Sequence, residues 1–314
     1  MINKIKLFIA GLQTSNTRSI SLSILRIFIC LHLLKKLILS WSSLDLLYGP
    51  NSIVAHLPIF FGDLAINSAF LRGHYKAVIF AYIILLVLYF FGIGKNFVAA
   101  LLFLFVMFLH RLNFLVLNGG DNLLEFLMLY TIFADSYSYF SITKLTFKRE
   151  GLQKVSNTLT NLACYSIILH LCLIYFVSSI HKLNSNVWFH GIAVYYTFSL
   201  NRFTGTPYNS MIVKNQYFVT IATYFTLFYE LYFPVLALRK KIKPYYLLLG
   251  VLLHMGIYVF MMIYDFQFVF IFTYLVFFNN DEIRAFKRKY LDKYIQIFNR
   301  SFRRNKKDLA ISRI

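Results

Sequence analysis

Long apolar runs alternate with short polar segments along most of this chain. Eight of the runs approach the roughly 20 residues that a helix needs to cross the hydrocarbon core of a bilayer. The pattern therefore predicts an all-α, polytopic bundle of integral membrane helices. The predicted spans are 20–40, 77–93, 96–117, 122–140, 162–182, 217–238, 245–263 and 264–279.

The last two spans come from one apolar stretch, 245–279. A single helix of that length would measure about 50 Å, against a hydrocarbon core of about 30 Å. Tyr264-Asp265 is the favoured break, because an aspartate at mid-membrane depth is costly. One long, tilted or kinked helix would instead give seven spans.

Lysine and arginine concentrate in alternate segments between these runs. With the N-terminus inside, the inner segments hold 23 of the 32 Lys and Arg residues, and the outer segments hold 4. This asymmetry follows the positive-inside rule. We therefore expect a multi-pass protein of the cell's inner (plasma) membrane with both termini in the cytoplasm. The net charge of +20 is a topology signal on this interpretation, and no nucleic-acid partner is expected.

Three regions follow from the same pattern: a cytoplasmic N-terminal segment (1–19), a transmembrane domain (20–280) and a basic tail (281–314). In the tail, apolar residues recur at helical spacing among many cations, as in a basic amphipathic helix lying on anionic lipid. The outer segments 41–76 and 183–216 are aromatic but broken by Gly, Asn and Ser. They predict short interfacial or re-entrant helices that cap the bundle on its outer side.

Composition supports the membrane interpretation, since 59% of the residues are hydrophobic and only 14% are charged. The three cysteines, Cys30, Cys164 and Cys172, lie inside apolar runs and form no CxxC pattern. They are interpreted as small buried hydrophobic residues. There is no HExxH motif and no histidine pair at ligand spacing, so no metal site is predicted.

Titratable residues within the spans are costly and need an explanation. Under the predicted topology most of them point toward one outward-facing cavity, with Glu230 and His254 at its floor. Arg26 is expected to pair with Glu125 or Glu230 if it is structural. The candidate ligand-binding residues are Asp121, Asn122, Glu125, Trp188, Gly191, Glu230, His254, His110 and Arg111.

Lys182, beside His181, ends an apolar helix at the outer side. A primary amine there either extends to the lipid headgroups or lies in a dry pocket as a base that is neutral near neutral pH. A protonated His181 would favour the neutral amine further. Lys182 and His181 are therefore the candidate catalytic residues, and extension of Lys182 to the headgroups remains the alternative.

Three stretches of the chain resemble the horizontally transferred transmembrane (HTTM) domain family. They are LNGGDNLLEFLMLYTIFADSYSYFS (117–141), YFVSSIHKLNSNVWFHGIAVYY (175–196) and the apolar helix around His254. That family includes the membrane domain of the vitamin K-dependent gamma-carboxylase and bacterial proteins that help mature the sporulation-delaying toxin. The resemblance covers about 20–280, and the Lys-Leu-polar-Trp-Gly segment is its most specific part.

By this resemblance Lys182 falls on the family's catalytic lysine, which deprotonates a reduced quinone that then reacts with oxygen. The implied cofactor is a reduced menaquinone- or vitamin K-like quinol. This sequence has Asp121 where the carboxylase has a histidine, and His181 where it has a lysine. We expect no counterpart of the large domain that holds the carboxylase's protein substrate. The resemblance thus implies a quinol-oxidising, carboxylase-like (lyase) enzyme rather than a carboxylase of proteins.

Two other functions stay open at this point. The first is a maturation or export helper for a secreted antimicrobial peptide, whose partners would be a small secreted peptide or a companion maturation protein. The second is a non-catalytic, lipid-binding membrane scaffold, in which the ion cluster is structural. Membrane lipids are expected partners under every interpretation.

Overall fold

The computed structural model describes residues 2–57, 59–61, 64–66 and 68–291. Within them the fold is helical, apart from one short antiparallel hairpin of β1 (Ile59–Phe61) and β2 (Leu64–Ile66). In chain order the α-helices are α1 (Ile2–Thr14), α2 (Ser19–Leu39), α3 (Leu44–Tyr48), α4 (Ala69–Gly73), α5 (Tyr75–Phe91), α6 (Lys95–Leu112), α7 (Gly119–Ile132), α8 (Glu150–Leu183), α9 (Asn186–Phe189), α10 (Ala193–Ser199), α11 (Asn209–Lys214), α12 (Gln216–Leu236), α13 (Lys243–Phe260), α14 (Phe266–Thr273) and α15 (Asn280–Phe286).

Among the described residues, four helices are long and apolar enough to cross a membrane: α6, α8, α12 and α13. Helix α5 is apolar but shorter, as is α14 together with the 3₁₀ turn Tyr274–Phe277 that extends it. Large apolar side chains also face outward from the bundle, such as Phe80, Phe97 and Ile221, which are 65%, 71% and 69% exposed. Helices that present apolar side chains to their surroundings are typical of a membrane protein.

The predicted break in the stretch 245–279 is present, since α13 ends at Phe260 and α14 begins at Phe266. Met262, between them, has a φ of 52°, which β-carbon sterics disfavour outside glycine. The predicted span 122–140 is shorter than expected, because α7 ends at Ile132.

Two helical regions extend beyond the predictions. Helix α8 begins at Glu150 instead of 162, and the N-terminal segment forms α1. The early turns of α8 and the end of α1 are joined by hydrogen bonds. The Asn161 amide donates to the carbonyls of Leu12 and Ser15, both at 2.9 Å. Helix ends leave their last carbonyls without partners, and the polar early turns of α8 supply donors for those of α1. A search for apolar runs does not detect this contact.

Arg26 makes no ion pair with Glu125 or Glu230, so that expectation is wrong. Its guanidinium is fully buried and donates to backbone carbonyls at the end of α5 and in the segment after α7. The distances are 3.1 Å from Nε to Ser136 and 2.7 Å from an Nη to Tyr89, and Phe90 and Phe140 also accept hydrogen bonds. A guanidinium with five donors satisfies carbonyls that the helix ends leave open.

The segments 41–76 and 183–216 contain short helices, as predicted: α3 and α4 in one, and α9, α10 and α11 in the other. The β1–β2 hairpin, which pairs Ile59 with Ile66, was not predicted. The basic tail begins as α15 and is described as far as residue 291, so the expected helical pattern at Tyr294 and Phe298 lies outside the described residues. All three cysteines are free and buried, as predicted.

Candidate functional site

A cavity of about 910 Å³ opens between α8, α12, α13 and α14. The segment between α13 and α14 and the short helices α9 and α10 complete its wall. Most of the lining is apolar or aromatic. Its polar and charged members are Asn118, Ser178, Lys182, Thr197, Arg202, Thr226, Glu230, His254, Asp265 and Gln267. Cavities of this size and character are typical of sites for small ligands.

Lys182 and Glu230 form an ion pair on this cavity. Lys182 lies in the last turn of α8, and Glu230 lies in the second half of α12. Helix α12 packs along α8. Both carboxylate oxygens of Glu230 accept from the Lys182 ammonium, which also donates to Ser178 Oγ at 3.0 Å. The side chains are 20% and 10% exposed.

The environment of Lys182 differs from the lone dehydrated amine that the sequence suggested. The Trp188 ring lies 4.9 Å from Nζ, measured to the ring centroid, so an aromatic face covers the amine. The two ions are in contact and largely shielded from water, so they form one unit on the cavity wall. The candidate base is the Lys182–Glu230 pair.

His254 contributes to the floor through a chain of hydrogen bonds. Its Nε2 lies 2.6 Å from the Tyr175 hydroxyl, and its Nδ1 contacts the Gln267 amide oxygen. Tyr175 is in turn hydrogen-bonded to Tyr274, whose hydroxyl lies 3.2 Å from that of Tyr229. These side chains belong to α8, α12, α13, α14 and its 3₁₀ extension, so the network joins every long wall of the cavity.

The tyrosine network depends on a glycine. A β-carbon at Gly250 of α13 would lie 2.0 Å from the Tyr229 hydroxyl and 2.6 Å from that of Tyr274. The absence of a side chain allows the two hydroxyls to meet against this helix.

Gln267 is a cavity residue that the sequence analysis did not select. It lies within the aromatic run of α14, is fully buried and lines the cavity beside His254. A lone amide inside an apolar run was an available signal, because an amide is costly there without a partner. Gln267 was missed because the candidate residues were selected mainly by charge.

Asp121 has a structural environment away from the large cavity. One of its oxygens pairs with Lys36, and the other accepts from the backbone N–H of Asn118 at 3.0 Å in a capping box at the start of α7. Asn122 is exposed, and Asn118 lines the cavity instead. Gly120 is needed here, since a β-carbon would lie 2.8 Å from the Phe266 Cα.

Glu125 and His110 also lie apart from Lys182. The Glu125 carboxylate contacts His110 Nδ1, and the neighbouring Arg111 is exposed. His110 and Lys36 line a second, smaller cavity of about 340 Å³. Asp265, which pairs with Lys35, borders both cavities. The single outward-facing cavity expected from the sequence is therefore divided into two.

Two residues near Lys182 do not line the large cavity. Consecutive residues of a helix point about 100° apart, so His181 does not share the direction of Lys182. Its side chain is exposed. Gly191 is buried against α12, where a β-carbon would lie 2.9 Å from the Tyr224 ring. The structure thus gathers Lys182, Glu230, His254 and Trp188, and it separates from them Asp121, Asn122, Glu125, His110, Arg111, His181 and Gly191.

No group of three or more His, Cys, Asp or Glu side chains that could hold a metal ion occurs in the part of the chain that the structure describes. Comparison of the chain with protein-family models, with curated proteins and with solved structures found no match.

Proposed function

We propose that this protein is a membrane-embedded, quinol-oxidising enzyme of the HTTM type. Its ligand, a reduced menaquinone- or vitamin K-like quinol, would bind in the 910 Å³ cavity. The observation that carries the proposal is the Lys182–Glu230 ion pair, which is largely buried and lies on the wall of that cavity. The segment with the most specific HTTM resemblance, 175–196, supplies Tyr175, Lys182 and Trp188 to the lining.

The lining fits an amphipathic ring. Its aromatic members include Trp188, Phe198, Phe203 and Phe270, which suit the faces of a flat ring, and its polar groups suit ring oxygens. The apolar outward surface of the surrounding helices would give a lipid-soluble ligand a route from the bilayer.

The protein's part in the chemistry is proton transfer and the exclusion of water. A bound quinol supplies two electrons and two protons, and dioxygen is the acceptor of both. Lys182 and Glu230 take up the hydroxyl proton as a pair, with Ser178 and Trp188 fixing the position of the ammonium. A positioned general base typically contributes about 10²- to 10⁴-fold to a rate.

The test is quinol-dependent oxygen uptake by the purified protein in liposomes. Wild type should consume menaquinol above the rate of empty liposomes. Lys182→Gln should lower turnover by about 100-fold or more, whereas Lys214→Gln, which removes an exposed lysine of α11, should not. Equal turnover in wild type and in a correctly inserted Lys182→Gln protein would refute the proposal. Saturable quinol binding without turnover in wild type would favour the lipid-binding scaffold.

We also propose the membrane arrangement: a plasma-membrane protein with eight spans and both termini in the cytoplasm. The charge asymmetry between alternate segments supports it. An impermeant maleimide applied to intact cells should label Ser199→Cys, on an outer segment, and spare Thr146→Cys, on an inner one. Both positions are exposed, and the native cysteines are buried. The reverse labelling pattern would invert the topology.

A further inference from the structure

The Gln267 amide has a donor group that the rest of the site leaves unused. Its Oε1 contacts His254 Nδ1, but its Nε2 has no hydrogen-bond partner among the described residues. The side chain is fully buried and lines the 910 Å³ cavity. An unpaired N–H shielded from water is unfavourable, so buried amides nearly always have an acceptor. An acceptor for this donor can come from a molecule bound in the cavity that the side chain lines.

The hydrogen-bond chain behind Gln267 fixes the direction of that donor. When His254 donates from Nδ1 to Gln267, its Nε2 is free to accept from the Tyr175 hydroxyl, which lies 2.6 Å away. One tautomer therefore satisfies both contacts and holds the amide oxygen at His254. The two N–H groups of Gln267 are left for other acceptors.

A second polar position of the cavity, occupied by the Lys182–Glu230 pair, lies further along α8. Tyr175, which supports His254, and Lys182 both line the cavity and are seven residues apart in that helix. Two turns correspond to a rise of about 10 Å. Between the two positions the lining is largely aromatic and aliphatic. Such a cavity suits a flat ring with one oxygen at each end.

We propose that Gln267 is a specificity-determining residue, which donates a hydrogen bond to the second ring oxygen of a two-oxygen aromatic ligand. The first oxygen of that ligand faces the Lys182–Glu230 pair. This inference rests on the proposed function and deepens it by naming the ligand class: para-oxygenated rings, in preference to rings with one oxygen.

Trp188 offers a direct readout of binding. The chain has two tryptophans, Trp41 and Trp188, so a Trp41→Phe background leaves the cavity residue as the sole tryptophan. The probe is 2-methyl-1,4-naphthoquinone, whose binding should quench this fluorescence. A 2-methyl-1-tetralone, which keeps one ring oxygen, is then titrated as a competitor to obtain its own affinity. The protein is the full chain in lipid nanodiscs.

The ratio of the two affinities tests the inference. In the Trp41→Phe protein the dione should bind about tenfold more tightly than the mono-ketone, as one additional hydrogen bond predicts. Gln267→Met should reduce the ratio to about one, mainly by weakening dione binding. Gln153→Met removes a glutamine of α8 outside the cavity, which donates to Asn157 at 3.1 Å, and it should leave the ratio near ten.

Two results would overturn the inference: equal affinities in the Trp41→Phe protein, or a ratio that stays near ten in Gln267→Met. The first result requires no variant at position 267, so a failure of Gln267→Met to fold does not protect the idea. The oxygen-uptake assay is separate. Absence of turnover together with a Gln267-dependent ratio would end the proposed oxidation and leave the ligand class in place.

Discussion

Two groups of buried ions, assigned from sequence to one cavity, have different environments in the fold. Lys182 and Glu230 pair on the wall of a 910 Å³ cavity, beside a buried amide that lacks an acceptor. Asp121 and Glu125 are held by Lys36, His110 and a helix cap, and those two partners line the 340 Å³ cavity. The difference teaches that buried ions of one helical bundle can serve separate purposes. A large cavity and an unpaired polar group on its wall distinguish the candidate ligand site from the structural ion pairs.

The largest expected effect comes from a matched pair of glutamates. Glu230→Gln removes the carboxylate of the cavity pair and should lower quinol-dependent turnover by about 1,000-fold, within the range for loss of a positioned base. Glu125→Gln removes an acid of the other group and should change turnover by less than about threefold, as expected for a residue outside the chemistry. Similar losses in the two variants, both monodisperse in detergent, would erase the distinction between the regions.

The second effect is a change in the free energy of unfolding, and it concerns the ion pair of Asp121 and Lys36. Asp121→Asn leaves Lys36 without its partner, and we expect a loss of about 3 kcal/mol in unfolding free energy, as for a broken buried ion pair. Asp121 is 2% exposed. Lys36→Met combined with Asp121→Asn should recover most of the loss, measured by thermal unfolding in detergent. No recovery in the double variant would show that the cap of α7, and not the pair, is what Asp121 provides.

The third effect tests the tyrosine network that supports the cavity floor. Gly250→Ala forces a methyl group against the hydroxyls of Tyr229 and Tyr274 and should cost about 1–3 kcal/mol. Gly256→Ala, in the same helix, has no atom within 4 Å of the added β-carbon. It should be neutral or stabilise by up to about 1 kcal/mol through helix propensity. Equal melting temperatures for the two variants would argue against close packing of the network.

The smallest effect concerns an ion pair remote from both cavities. Lys243 Nζ lies 2.7 Å from both carboxylate oxygens of Glu282, which lies in the first turn of α15. Burial alone would raise the pKa of Glu282, but hydrogen bonds from Lys243 and from the Asn279 backbone hold it below its usual value.

Because the folded-state pKa of Glu282 is lowered, its contribution to stability is present above the unfolded-state pKa of about 4.3. The contribution is lost as the pH falls through the lower, folded-state value. Melting temperatures of wild type should therefore decline more steeply below pH 4.5 than those of Glu282→Gln. Asp281→Asn, at a more exposed neighbouring acid, should retain the wild-type profile. A Glu282→Gln profile parallel to wild type would contradict this role.

Much of the fold could be predicted because apolar periodicity determines where helices form. The break near Asp265 was predicted from the length of the apolar run and the cost of an aspartate within it. The short helices of 41–76 and 183–216 were predicted from the Gly, Asn and Ser residues that interrupt those segments. The missed α1 is stabilised by amide-to-carbonyl contacts with Asn161, which have no hydrophobic pattern. The wrong partner for Arg26 has a similar cause, since backbone carbonyls carry no sequence signal.

The site was predictable in part for a related reason. Lys182, Glu230 and His254 were selected because charged or titratable groups in apolar helices are costly. That argument gives the depth of a residue but not the direction of its side chain. It therefore placed Asp121 and His181 in the same pocket, although one caps a helix and the other is exposed. Gln267 was missed because an uncharged amide contributes little to a search for ions.

The most direct measurement is photolabelling of the wild-type protein in nanodiscs with an azido-naphthoquinone, followed by mass spectrometry of the labelled peptides. If the larger cavity is the ligand site, label should concentrate in residues 174–188 and 252–270, and excess 2-methyl-1,4-naphthoquinone should block it. Blockable label concentrated in residues 33–48, beside the smaller cavity, would contradict the account. So would label that the competitor does not block at all.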